Sequence, residues 1–197
     1  MKWVVGVDEA GRGPLAGPVA VGVLCAPEGF DLLSAFPGLN DSKKLTEQAR
    51  EHLFTLLEEH VKQGILSYCV QMKSATLIDR QGIAVVIRSA VARGLSDLMD
   101  DPLGGKVWLD GALRAPSLYE QETVIGGDAL VPCIMLASIA AKVTRDRLMV
   151  KLASKHPQYG FEKHKGYGTK AHFDAIRAHG PCALHRSSFI HLDRVTA

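Results

Sequence analysis

The chain has 197 residues, 47% of them hydrophobic and 22% charged, a composition that suits one globular domain with a full core and a small appendage. Its longest apolar stretch, LVPCIMLASIAA (residues 130–141), is interrupted and too short to span a bilayer. Net charge is only +2, yet residues 142–197 hold eleven Lys or Arg against four Asp or Glu, so an acidic body precedes a basic end.

WVVGV (residues 3–7) is apolar and β-branched and predicts a strand that ends at Asp8 and Glu9; VAVGVLC (residues 19–25) predicts its neighbour after a Gly/Pro-rich connection. Leu53, Leu56, Leu57 and Val61 stand at helical spacing over residues 46–62, with Thr46 as N-cap and Gly64 as the stop. ILSYCVQM (residues 65–72) predicts a third strand. Residues 74–99 predict a helix broken near Gly82, and KVWL (residues 106–109) a strand that delivers Asp110. A shorter strand over 123–125 ends near Asp128. A long helix is expected over 130–155, stopped by Pro157, and a last one from Thr169 to Gly180. Strands first, then strands alternating with helices, imply an α/β fold: a mixed sheet with helices packed on it. A soft boundary near Gly160 divides residues 1–160 from a small helical unit, 161–197.

The uneven charge suits a protein that holds cations in one part and a phosphate backbone with another, although solvated helix faces give the same count. Cys25, Cys69, Cys133 and Cys182 lie far apart with no CxxC pair, which argues for reduced thiols and against structural zinc. The opening MKWVVGVDEAGRG meets acidic residues too early for a secretory signal, so the cytoplasm is expected.

Four carboxylates, Asp8, Glu9, Asp110 and Asp128, fall at strand ends that one sheet edge could gather. Singly, each reads as a turn former or helix cap. Together they supply the hard oxygen ligands that Mg2+ and Mn2+ prefer, and two such ions about 3.5–4 Å apart can drive phosphodiester hydrolysis. Neighbours on a regular strand face opposite ways, so Asp8 and Glu9 share a site only where the strand ends or twists, as the following Gly11-Arg12-Gly13-Pro14 suggests. Those glycines let backbone groups approach a ligand, and Arg12 can grip a phosphate. A dinucleotide loop fits poorly, because Gly17 comes one place late for GxGxxG and Pro14 lacks an amide.

VDEAGRGPLAGPVAV (residues 7–21) resembles the signature that opens ribonucleases HII. LNDSKKL (39–45), WLDG (108–111), ASIAAKVTRD (137–146), KGYGT (165–169) and HRSSF (185–189) follow in the family's order. The resemblance implies a ribonuclease H-like fold with a C-terminal helical extension, a site of Asp8, Glu9, Asp110 and Asp128 holding two Mn2+ or Mg2+ ions, and a monomeric endoribonuclease. Its substrates would be RNA–DNA hybrids and duplex DNA containing ribonucleotides, cut 5′ to a single ribonucleotide. Gly11, Arg12 and Gly13 would read the 2′-hydroxyl together with Tyr167, which lies against the next sugar. Lys43, Lys44, Lys142, Lys165 and Lys170 are phosphate-backbone candidates. Where the family usually shows Lys-Gly-Asp, this chain has Gly126-Gly127-Asp128. Asp146 is therefore a competing fourth acid, otherwise a helix-surface residue paired with Arg145 or Arg147. Residues 192–197 carry no aromatic pair of the clamp-binding kind. Two rival readings are a ribonuclease H-fold nuclease that needs longer RNA, and a noncatalytic hybrid-binding module.

Overall fold

The computed structural model describes residues 2–191; the stretch 192–197, read above for a clamp-binding pair, lies outside them. Its sheet runs in the order β3 (Ser67–Lys73), β2 (Val19–Pro27), β1 (Trp3–Ala10), β4 (Gly105–Asp110), β5 (Glu120–Val124). The first three strands pair antiparallel; β4 and β5 continue parallel to β1. Val5 and Val7 of β1, Val19, Val21 and Val23 of β2, and Val107 and Leu109 of β4 all point to one face. There they pack on Val86, Ile87, Ala90, Val91 and Leu95 of α4 (Ile83–Leu98), the period-two alternation of half-buried strands.

The other face carries α6 (Pro132–Ala153), flanked by Leu53, Phe54 and Leu57 of α2 (Glu47–Lys62). Two glycines set how closely α6 lies. A Cβ at Gly6 would stand 2.1 Å from the carbonyl oxygen of Cys133, and one at Gly22 would stand 2.2 Å from that of Ala137. Backbone of the helix therefore rests directly on backbone of the sheet, which only glycine permits.

Thr46 caps α2 as expected, accepting the Ala49 N–H at 3.1 Å. Gly82, at φ +79°, divides α3 (Ala75–Gln81) from α4. Three expectations need correction. The first strand does not end at Asp8 and Glu9 but pairs with β2 through Ala10. The third begins at Ser67 rather than Ile65, because Ile65 and Leu66 bond back to the His60 carbonyl and close the end of α2. The long helix stands as α6 but starts at Pro132 rather than at 130, and a separate short helix, α5 (Gly127–Leu130), precedes it, because Val131 is extended and Pro132 starts a fresh helix at its first position. Periodicity also passed over the single-turn helices α1 (Leu32–Ala35) and α7 (Phe161–His164), which are too short to show one. A third cluster joins α8 (Lys170–His179) through Ile176 to Leu15, Ala16, Met149 and Phe161. Among the described residues no helix is long and apolar enough to cross a membrane.

Candidate active site

Asp8 and Asp110 come together through register. The last parallel pair of β1 and β4 is Val7 with Leu109, so each aspartate is the next residue on its strand, and both face α6. Asp8 forms the floor of a cleft and is only 4% exposed. Burial, aided by repulsion from Glu9 and Asp110, pushes its carboxyl up to about 8, against the opposing pull of a Ser138 hydrogen bond. Ser138 reaches it because α6 sits so close to the sheet, and its hydroxyl is 2.9 Å from that of Ser42. Among the described residues Asp8 and Asp110 pair with no Lys or Arg.

The other two acids approach from the sides. Glu9 meets Arg12 at 2.9 Å. Asp128, in the first turn of α5, donates its N–H to Asp110 Oδ1 at 3.3 Å and takes Lys43 Nζ on its own carboxylate at 2.6 Å. As the side chains stand, no three His, Cys, Asp or Glu among the described residues converge enough to grip a metal ion, since Arg12 and Lys43 draw two of the carboxylates to themselves. The donor set still fits a divalent cation. Hard carboxylate oxygens surround a buried aspartate whose charge is disfavoured, and a cation relieves that state.

The Gly11-Arg12-Gly13 loop is held from beneath by two fully buried arginines. Arg186 donates to the carbonyls of Gly11, Arg12 and Gly17 at 2.7, 2.9 and 3.0 Å. Arg145 donates to those of Pro18, Ala16 and Lys165 at 2.8, 3.2 and 2.9 Å. Gly11 has φ +83°, and a Cβ there would stand 2.0 Å from Arg145 Nε, whereas a Cβ at Gly13 would meet open space. Gly11 is thus glycine for packing, and Gly13 leaves its backbone open to a ligand.

The ribonuclease HII family model matches residues 5–192. The chain belongs to the ribonuclease HII family. That membership makes it a nuclease of the ribonuclease H type. It is 45% identical over 187 residues to a ribonuclease HII of Endomicrobium trichonymphae, covering 94% of this chain and 84% of that one. The Archaeoglobus fulgidus ribonuclease HII, solved as a complex with PCNA, is 22% identical with a TM-score of 0.77 over 96% of both chains. Bst ribonuclease HIII, solved with Mn2+, is 15% identical with a TM-score of 0.70, over 98% of this chain and 68% of that one. These two likenesses are of fold.

Of the residues expected at a ribonuclease HII site, Asp8, Glu9, Gly11, Arg12, Gly13, Lys43, Asp110, Lys142 and Tyr167 line one cleft. Lys44 and Lys170 are exposed outside it, and Lys165 turns its amine to the Glu162 carbonyl at 2.5 Å. Asp146 is no surface acid. It is 8% exposed, it binds Lys142 at 2.7 Å, and it lines a separate groove between α2 and α6. Of the two expected partners, Arg145 forms a long ion pair with Asp146 at 3.9 Å, whereas Arg147 binds Glu51 instead.

Tyr167 is 41% exposed, and a chain of buried histidines fixes its backbone. Cys182 N–H donates to His185 Nδ1, so the His185 proton lies on Nε2 and is given to His172 Nε2 at 3.1 Å. His172 in turn donates from Nδ1 to the Tyr167 carbonyl at 2.9 Å. Both rings are neutral, burial having pushed His172 down to about 4 and lowered His185. Sequence reasoning missed Arg145, Arg186, Ser138, His172 and His185. The available signal for Arg145 was an arginine seven residues after Ser138 and so on the same side of the helix.

Proposed function

We propose that this chain hydrolyses the RNA strand of RNA–DNA hybrids and cuts on the 5′ side of single ribonucleotides embedded in duplex DNA, leaving 3′-hydroxyl and 5′-phosphate ends. The observation that carries this reading is the buried Asp8 beside Asp110 on adjoining parallel strands, neither paired with a Lys or Arg among the described residues. Two Mn2+ or Mg2+ ions bound there would activate a water and stabilise charge on the attacking and leaving oxygens. Asp8 and Asp110 hold them from the floor, and Glu9 and Asp128 complete the ligand set. A fold neighbour solved with Mn2+ supports that class of ion.

Arg12 and Lys43, which now cap Glu9 and Asp128, turn to the phosphate when the acids take metal. The open backbone at Gly13 admits a 2′-hydroxyl, and Tyr167 packs on the following sugar. Lys142 serves the backbone within the cleft; Lys44 and Lys165 serve it outside. Residues 161–197 act as the substrate-binding extension of a catalytic part, 1–160. Four free cysteines suit work in the reducing cytoplasm, and the protein acts there as a monomer.

The test is cleavage of a labelled DNA duplex with one ribonucleotide, in Mg2+, Mn2+ or chelator, by wild type and Asp8→Asn. The expected result is a metal-dependent cut 5′ to the ribonucleotide that the variant loses. Cleavage of long hybrids alone would indicate a nuclease that needs longer RNA, and binding without turnover in any metal would overturn the reading.

A further inference from the structure

A second groove opens on the far side of Arg12 from the acids. It has a volume of about 240 Å3 and lies between α4 and the loop after β4. Ile87 and Leu113, both buried, form its floor, and Arg12, Arg88 and Arg114 stand around it with no acidic residue in its lining. Arg88 and Arg114 are exposed, and among the described residues neither meets a carboxylate. Arg93, one and a half turns along the same helix from Arg88, does: it binds Asp97 at 2.8 Å. Arg114 is also held in place, donating to the Leu113 carbonyl at 3.1 Å and to the Thr123 hydroxyl, which leaves other guanidinium donors free.

Arg12 is balanced by Glu9, but Arg88 and Arg114 face the same groove without a carboxylate among the described residues, and an anion lying between them would relieve their repulsion. An apolar floor gives nothing to a small hydrated anion, but it suits the sugar edge of a chain whose phosphates meet the rim. Arg12 belongs to both the groove and the catalytic cleft, so one continuous ligand can occupy both. We propose that this groove binds the sugar–phosphate backbone of the duplex as it leaves the catalytic cleft, with Arg88 and Arg114 as its phosphate ligands. The inference rests on the substrate reading above.

The test compares wild type with Arg88→Gln, Arg114→Gln and the double variant. Arg93→Gln serves as a control that removes the same charge from α4 outside the groove. Binding of the single-ribonucleotide duplex is followed by fluorescence anisotropy over a range of NaCl concentrations in chelator, and cleavage at saturating duplex in Mg2+. The expected slope of log affinity against log salt falls by about 1 for each groove arginine removed, with affinity about tenfold weaker in the double variant. Maximal cleavage and the Arg93→Gln slope stay at wild-type values. Shortening the duplex from one end only should abolish the difference between wild type and the double variant.

Equal affinity and slope in wild type and the double variant would overturn the groove while leaving cleavage intact. Equal losses in Arg93→Gln would overturn it too, as a net-charge effect. If wild type fails to cut the duplex, the substrate reading fails. The anisotropy comparison then judges the groove alone, since unchanged binding by the double variant overturns it.

Discussion

Replacing Arg186 should loosen the Gly11-Arg12-Gly13 loop without unfolding the protein. Its guanidinium is fully buried and makes three hydrogen bonds to carbonyls of Gly11, Arg12 and Gly17. Burial pushes it down to about 10, so it remains charged at neutral pH. In Arg186→Met those three oxygens lose their donor, at about 1–3 kcal/mol each where water cannot replace it. Removing a buried charge returns several kcal/mol of desolvation. The net loss is about 3 kcal/mol, below the total stability of roughly 5–15 kcal/mol expected of a domain. Arg186→Lys should lose nearly as much, because one ammonium cannot span carbonyls that a planar fork meets together. Urea unfolding measures the loss, and cleavage of the single-ribonucleotide duplex measures the loop, with KM rising more than kcat falls. Arg12→Ala has the opposite signature: its half-exposed ion pair contributes under about 1 kcal/mol, while cleavage drops. An Arg186→Lys variant as stable and active as wild type would refute the clamp.

Asp8→Asn should abolish cleavage yet raise the melting temperature of the metal-free protein at neutral pH. A carboxyl raised from 3.8 to about 8 on folding stabilises fully below pH 3.8 and loses that contribution as pH rises towards 8, on the order of 5 kcal/mol; equal melting of the two chains at pH 8 in chelator would contradict this. His172 has the reverse sign among bases: its folded value is lowered to about 4, so stability is full above pH 6.5 and declines as pH falls from there to about 4. His172→Gln should flatten that decline in unfolding measured against pH, and an unchanged acid limb would exclude His172 as its source. Gly22→Ala should cost roughly 3 kcal/mol or more by thermal melting, since its Cβ would meet the Ala137 carbonyl at 2.2 Å; a near-neutral change would mean that α6 shifts easily.

Local signals in the sequence were strongest where one residue acts on its own backbone. Thr46 caps α2 and Gly82 divides α3 from α4 because a hydroxyl and a missing Cβ act within a few residues. Asp8 and Asp110 lie side by side as expected, because β1 and β4 are parallel neighbours in register, whereas Asp128 reaches Asp110 from the first turn of α5 and not from a strand end. What periodicity could not convey is long-range. Gly6 and Gly22 look like ordinary strand glycines until α6 is seen lying on them. Nothing local marks Arg145 and Arg186 as buried, since the loops that cover each of them lie near it only in the fold. Asp146 misled for the same reason: its partner Lys142 is one helical turn away, but its burial depends on α2 packing across it.

The positions of Arg12 and Lys43 put them in competition with any incoming metal ion for the carboxylates of Glu9 and Asp128. Lys43 Nζ lies 2.6 Å from Asp128, and Arg12 lies 2.9 Å from Glu9, so an ion that uses either acid must first displace a resident cation. Lys43→Met removes that competitor and one nearby positive charge, and both effects favour a divalent ion. An exposed pair of this kind contributes up to about 1 kcal/mol, which converts to roughly fivefold tighter metal binding. Calorimetric titration of Mn2+ into the substrate-free protein reads this directly. The same variant should bind duplex more weakly, because on the proposed reading the displaced Lys43 would meet phosphate once the acids hold metal. Tighter metal with weaker duplex is the pattern of an exchange, in which cations that balance the acids at rest are released to the substrate. Unchanged or weaker Mn2+ binding in Lys43→Met would mean that Asp128 stays with other partners when metal arrives, and the exchange would be abandoned.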